Sequence, residues 1–153
     1  MWLKCVKNLL KKLKAAKSIK PTISNLVEPN SNTLNLKYFT LSEFDSPDQL
    51  GSGSNMDHKF LEKLDYARGN AGVPFKINSG YRTKEWNLKI GGRVGSSHQY
   101  GVACDIHCNG SRPRALIITA LLEVGITRIG IGKTFIHCDV DNKKDQDVFW
   151  LYK

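Results

Sequence analysis

His98, Asp105 and His137 are the residues of this 153-residue chain whose types point most directly to chemistry. Two imidazoles and one carboxylate form a three-ligand set with an open fourth position, which is how catalytic zinc is bound, with ligand bonds of about 2.0–2.2 Å. Such an ion brings the pKa of bound water to roughly 7 and polarises a carbonyl, so it supplies a nucleophile near neutral pH. The donor set favours zinc among the divalent metals. His…Asp…His trios also arise on ordinary solvent-facing strands, so the elements that position these three decide between the readings.

Two strands are expected to do so. Over residues 102–108 side chains alternate between faces. Val102, Cys104 and Ile106 make an apolar face, and Ala103, Asp105 and His107 the opposite one. Over residues 135–141, Ile136, Cys138 and Val140 are apolar, while Phe135, His137, Asp139 and Asp141 share the other face. If the strands lie side by side on a common core, Asp105 and His137 meet. His98 precedes the first strand, with Gly101 permitting a tight entry and the small Ala103 leaving room beside Asp105.

The remaining pattern predicts a helix over residues 56–68, capped by Ser54 or Asn55, with Phe60, Leu61, Leu64 and Ala67 inward. A short strand over 75–78, a short helix over 84–89 and a helix over 113–124 ended by Gly125 follow. Strands over 126–132 and 135–141 are joined by a tight Lys133–Thr134 turn, and a last strand covers 148–152. Mixed elements with short links predict an α+β domain with a small, mostly antiparallel sheet and flanking helices. The cysteines of these strands, Cys104, Cys108 and Cys138, read as buried free thiols.

The segment from Ser96 to Asp105 fits the Ser-x-His-x-x-Gly-x-Ala-x-Asp signature of the zinc D-alanyl-D-alanine carboxypeptidases at all five fixed positions. Ser79-Gly80-Tyr81-Arg82-Thr83 resembles that family's Ser-x-Tyr-Arg-Thr segment. Phe135-Ile136-His137-Cys138-Asp139 resembles its closing strand, in the His-x-Asp form of the smaller, often phage-encoded branch. The resemblance covers about residues 38–152. It implies a fold like these peptidases and the related hedgehog domains, with Zn2+ held by His98, Asp105 and His137. It also implies that Arg82 grips a substrate carboxylate or stabilises an oxyanion, and that Ser96 and Tyr81 lie at the substrate; Tyr81 suits core packing equally. Several relatives place a carboxylate base three residues before the last histidine, where this chain has Thr134. Asp139 is the expected substitute base, His107 a weaker one, and each also suits the task of orienting a ligand imidazole. Trp86 suits a cleft wall or packing.

The implied activity is hydrolysis of peptidoglycan stem peptides, as a carboxypeptidase or as an endopeptidase of the lysin kind. Hedgehog domains keep a similar site without an established need for turnover, so a zinc-containing binding module is the alternative.

The net charge of +9 is unevenly placed: seven lysines precede the first acid, Glu28. The rest is close to neutral, so no nucleic-acid partner is expected. Over residues 1–20, Trp2, Val6, Leu9, Leu10, Leu13 and Ala16 recur at helical spacing with lysines between them. That pattern predicts a basic amphipathic helix suited to an anionic membrane. Residues 21–36 read as a linker and 37–153 as the peptidase domain. Lysines interrupt every apolar run, so neither a secretion signal nor a membrane-spanning helix is expected. Synthesis in a bacterial cytoplasm and action at the cell wall or periplasm follow as expectations.

Overall fold

The computed structural model describes residues 34–152. The helix expected over 1–20, and all but the end of the linker expected over 21–36, lie outside the described residues. Leu34 and Leu36 already pack against the core, ahead of the boundary expected near Lys37.

Helix α1 (His58–Ala71) begins where Asp57 accepts a hydrogen bond from the Phe60 N–H at 2.8 Å. This corrects the expected cap. Ser54 and Asn55 belong to a separate 3-10 turn (Ser52–Asn55), and Asp57 is the side chain that reaches the third helical amide. Gly72, at φ 62°, ends the helix. Helix α2 (Lys84–Lys89) matches its expected bounds, with Thr83 capping the Trp86 N–H. Helix α3 (Ser111–Glu123) starts two residues earlier than Pro113, because proline is tolerated in a first turn that has no amide acceptors to fill.

The strands are β1 (Ile77–Ser79), β2 (Ala103–His107), β3 (Arg128–Ile131), β4 (Phe135–Asp139) and β5 (Val148–Leu151); β1 starts two residues later and ends one residue later than expected, and the other four are shorter than the sequence pattern suggested. They form one sheet in the order β1-β2-β4-β3-β5. The expected antiparallel character holds for β1/β2, β2/β4 and β3/β4. β5 departs from it and runs parallel to β3, so the sheet is mixed.

One face of the sheet makes the core. Cys104, Ile106, Ile129, Ile136 and Cys138 are fully buried in one cluster with Phe60, Leu61 and Leu64 of α1 and Ile117 and Leu121 of α3. Each such Leu, Ile or Phe side chain contributes about 1.5–3 kcal/mol of burial. The three described cysteines are free and buried, as expected. Cys104 and Cys138 touch at 3.5 Å. Burial, with Cys138 alongside, pushes the Cys104 thiol well above its ordinary value, so it stays neutral. This packed layer fixes the register of β2 against β4, and with it the opposite face.

Candidate metal centre

A single transverse row crosses all five strands on that opposite face. Ser79 pairs with Asp105, Asp105 with His137, His137 with Gly130, and Gly130 with Trp150. The backbone bonds joining β2 and β4 flank it: Val140 N–H donates to Val102 O at 3.0 Å, and Cys108 N–H donates to Thr134 O at 2.9 Å. Counting inward from both, Asp105 and His137 form a non-hydrogen-bonded pair, the kind in which opposed side chains stand closest. Asp105 Oδ1 lies 2.8 Å from His137 Nδ1.

His98 enters from the 3-10 turn Ser97–Tyr100. Its Nδ1–H donates to Gly80 O at 2.7 Å, which turns Nε2 toward the pair, 3.3 Å from His137 Nδ1 and 3.4 Å from Asp105 Oδ1. Gly101 fastens this turn. It has φ 69°, its carbonyl accepts the Asp57 N–H at 2.9 Å, and a Cβ here would run into Asn55 O. The turn that carries His98 is thereby tied to the start of α1.

One donor atom from each of His98, Asp105 and His137 lies within 4.8 Å of the others. The three separations, 3.3, 3.4 and 2.8 Å, compare with the roughly 3.3 Å edge of a tetrahedron whose bonds are about 2.0–2.1 Å. The residues therefore fit a zinc-sized ion. The outer ring nitrogens are already used, His98 Nδ1 by Gly80 and His137 Nε2 by Asp139, so the inner ones are left to face a metal.

The electrostatics follow from burial and pairing. Burial lowers the pKa of His98 and outweighs the pull of Asp105, so the imidazole is neutral. Burial would also lower that of His137, but its hydrogen bonds to Asp105 and Asp139 win and raise it to about 9. For Asp105, burial opposes ionisation, and the bonds to His137 and His98 overcome it and hold the carboxyl well below the usual range.

Arg82 stands where the resemblance implies. Its Nη2 donates to Asp105 Oδ2 at 2.7 Å and its Nε to Ser79 Oγ at 2.8 Å. Nη1 makes no hydrogen bond among the described residues. Tyr81 does not join the site. Its N–H donates to Phe44 O and its side chain packs against the core, the second of its two expected roles. Ser96 contributes its carbonyl to the Gln99 N–H, and its side chain caps nothing. The neighbouring Ser97 is the buried serine. It donates to Asp141 Oδ2 at 2.9 Å and accepts from Lys144 Nζ at 2.7 Å, which anchors the turn that carries His98 to the loop after β4.

Asp139 lies behind His137. Its Oδ2 is 3.1 Å from Nε2, while Oδ1 accepts from Arg128 Nε at 2.8 Å and from the Asp141 N–H at 3.0 Å. It is 1% exposed. The base role expected for it does not fit this position, because the donor cluster sits at the opposite ring nitrogen. Its placement is that of a residue orienting the imidazole. His107 is turned away as well, with Nε2 against Asn109. Thr134 is exposed in the β3–β4 turn. Trp86 is half-buried on α2, beneath the Lys89 ammonium at 4.9 Å.

The sequence reading missed Arg128, Trp150 and Tyr152. The Trp150 and Tyr152 rings lie 5.6 and 6.3 Å from the His137 ring. Gly130 provides the space, since a Cβ there would come within 2.6 Å of Trp150. The signal was present in the alternation of Arg128 and Gly130 on β3, but its meaning depends on the parallel pairing of β5.

His98, Asp105 and His137 converge as a group that could hold a metal ion, with an arginine on the carboxylate. The sequence profile described as peptidase M15 matches residues 37–139. The chain belongs to the peptidase M15 family, a family of metallopeptidases. No curated protein matches the chain significantly.

Proposed function

We propose that this protein is a zinc-dependent peptidase that cleaves peptidoglycan stem peptides, either as a D-alanyl-D-alanine carboxypeptidase or as an endopeptidase. The observation that carries the reading is the convergence of His98 Nε2, Asp105 Oδ1 and His137 Nδ1 within 4.8 Å, inside the segment matched by the family. Bound zinc supplies a water-derived nucleophile near neutral pH and polarises the scissile carbonyl.

The chain's own residues prepare that chemistry. Gly80 O and Asp139 hold the two imidazoles by their outer nitrogens, so the rings meet a metal without reorganising. Arg82 holds the Asp105 carboxylate in place through Oδ2. Its unengaged Nη1 is suited to a substrate carboxylate or a developing oxyanion. Trp150 and Tyr152 wall the site beside His137 and limit access of bulk water.

A second reading, a zinc-containing binding module, is favoured by one observation: Thr134 stands where several relatives carry a base, and Asp139 is locked behind His137. Digestion of defined stem peptides, read by mass spectrometry with and without chelator, separates the two. Release of D-alanine or of new amino termini that a chelator stops supports the peptidase. Bound zinc without any cleavage supports the module.

The basic residues 1–20 are proposed to bring the protein to an anionic membrane on its way to the wall. Deleting them should lower binding to anionic vesicles and leave turnover of soluble peptide intact; unchanged vesicle binding sinks that role.

A further inference from the structure

Arg128 is a buried cation that the reaction itself does not call on. It is 8% exposed and carries three distinct contacts. Nε donates to Asp139 Oδ1 at 2.8 Å, Nη1 donates to Asp145 O, and the guanidinium lies 5.5 Å from the centre of the Trp150 ring. Register explains the first contact, because Arg128 of β3 stands opposite Asp139 of β4. Placing a guanidinium out of water is costly unless it is paired and hydrogen-bonded. An apolar residue opposite a solvated aspartate would have served the sheet alone.

Asp139 spends one oxygen on Arg128 and the other on His137 Nε2. A carboxylate so fixed accepts a proton-bearing Nε2 and leaves Nδ1 as the lone-pair nitrogen, the atom that faces Asp105 and His98. Among the described residues, Arg128 is the one lysine or arginine at the Asp139 carboxylate. Without Arg128, Oδ1 would keep only the Asp141 N–H, and the carboxylate would be held less firmly against His137 Nε2.

We propose that Arg128 is a positioning residue for the metal centre, which sets the tautomer and orientation of His137 by pinning Asp139. The inference rests on the metal-site reading above and deepens it. The chain of contact runs Arg128, Asp139, His137, metal, and Trp150 and the Asp145 carbonyl hold its outer end in place.

The test is zinc affinity by chelator competition for the full chain, with Arg128→Met, Arg128→Lys, Asp139→Asn and the Arg128→Met/Asp139→Asn double variant. Each single loss of the pair is expected to weaken zinc by about 10–100-fold. The double variant should be no weaker than Asp139→Asn alone, since Arg128 acts only through Asp139; a merely structural arginine would add its own loss. Arg128→Lys, which keeps a cation beside Asp139, should recover most of the affinity. If Arg128→Met does not fold, Arg128→Gln in wild-type and Asp139→Asn backgrounds gives the same comparison. A second readout is the His137 imidazole N–H in the proton–nitrogen spectrum of the zinc-loaded protein. It should shift in Arg128→Met and return toward wild type in Arg128→Lys. Additive losses, or unchanged zinc affinity in a folded Arg128→Met, overturn the inference. His98→Ala distinguishes the two levels. If it abolishes zinc binding while Arg128→Met leaves zinc affinity unchanged, only this inference fails. If wild type and His98→Ala bind zinc equally, the metal reading fails with it.

Discussion

Asp105 and His137 face each other across a non-hydrogen-bonded position of β2 and β4, Oδ1 to Nδ1 at 2.8 Å. His98 Nε2 completes the triangle from a turn outside the sheet. With three ligands converging, about one zinc per chain is expected in the purified protein. His98→Ala or Asp105→Ala should reduce affinity by more than about 100-fold, beyond what loss of a supporting contact produces. Metal analysis after dialysis against a weak chelator measures this. Full retention of zinc in both variants would remove the assigned ligands.

Proton competition gives a second expectation. His137 in the metal-free protein titrates at about 9, above the ordinary 6.5. Zinc at Nδ1 must displace a proton below that value, whereas burial lowers the pKa of His98 and makes its proton the easier one to displace. Apparent zinc affinity should therefore rise about tenfold per pH unit, or about 100-fold from pH 6 to pH 8.

The same raised value works in the other direction on the metal-free fold. The folded pKa exceeds the unfolded one, so the stabilisation is complete below pH 6.5 and is lost as pH rises through about 9. Its size is on the order of 3 kcal/mol. Asp105 and Asp139 have lowered values, so their contribution is present above the ordinary 3.8 and fades as pH falls through their folded values. Urea unfolding of chelated protein should show greater stability at pH 6 than at pH 9. A flat profile across that interval would mean that the pairing of His137 with Asp105 and Asp139 is absent in solution.

The fastening of the metal-binding turn can be tested without touching a ligand. Gly101→Ala places a Cβ against Asn55 O at φ 69°. The left-handed conformation alone costs roughly 1–2 kcal/mol, and the backbone clash adds to it. Stability should drop by more than about 2 kcal/mol, and zinc binding should weaken because His98 rides on the same turn. Gly72→Ala, also at positive φ but with open space around it, should cost only the conformational part. Equal losses in thermal or urea unfolding would show that the Asn55 contact is not made.

The metal-binding pair was legible because it depends on short-range alternation. Cys104 and Ile106 mark the buried face of β2, Ile136 and Cys138 that of β4, and Asp105 and His137 are then forced to the other side. α2 was legible for the same local reason, since Thr83 caps it and its six residues form one compact pattern. The cap of α1 was harder, because Ser54, Asn55 and Asp57 all carry suitable oxygens and only three-dimensional reach selects Asp57. Tyr81 shows the limit of a motif: its neighbour Arg82 turns into the site while Tyr81 turns into the core. The role of Asp139 depends on which imidazole nitrogen it meets, a matter of side-chain rotation. Arg128 and Trp150 depend on which strands are neighbours, and the parallel β3/β5 pairing joins segments whose adjacency no local sequence pattern states.

Arg82 offers the sharpest division between holding the metal and acting on substrate. Nη2 and Nε are engaged by Asp105 and Ser79, so the guanidinium plane is fixed with Nη1 left over. A lysine carries the charge but a single ammonium, so it cannot hold Asp105 and present a second donor in the same plane. Arg82→Ala and Arg82→Lys should both still bind zinc, weakened by no more than about 10–100-fold, because His98, Asp105 and His137 remain. Both should lose about 100- to 1000-fold in kcat/KM on a defined stem peptide, the usual consequence of removing a donor aimed at developing charge. If Nη1 grips a carboxylate already present in the ground state, the loss falls mainly on KM, and amidating that carboxylate in the peptide should hurt the wild type but not the variants. If it serves the oxyanion, the loss falls on kcat and amidation leaves the ratio of wild type to variant unchanged. Near wild-type turnover by Arg82→Lys would contradict both roles, because it would show that charge alone, without the fork, is enough.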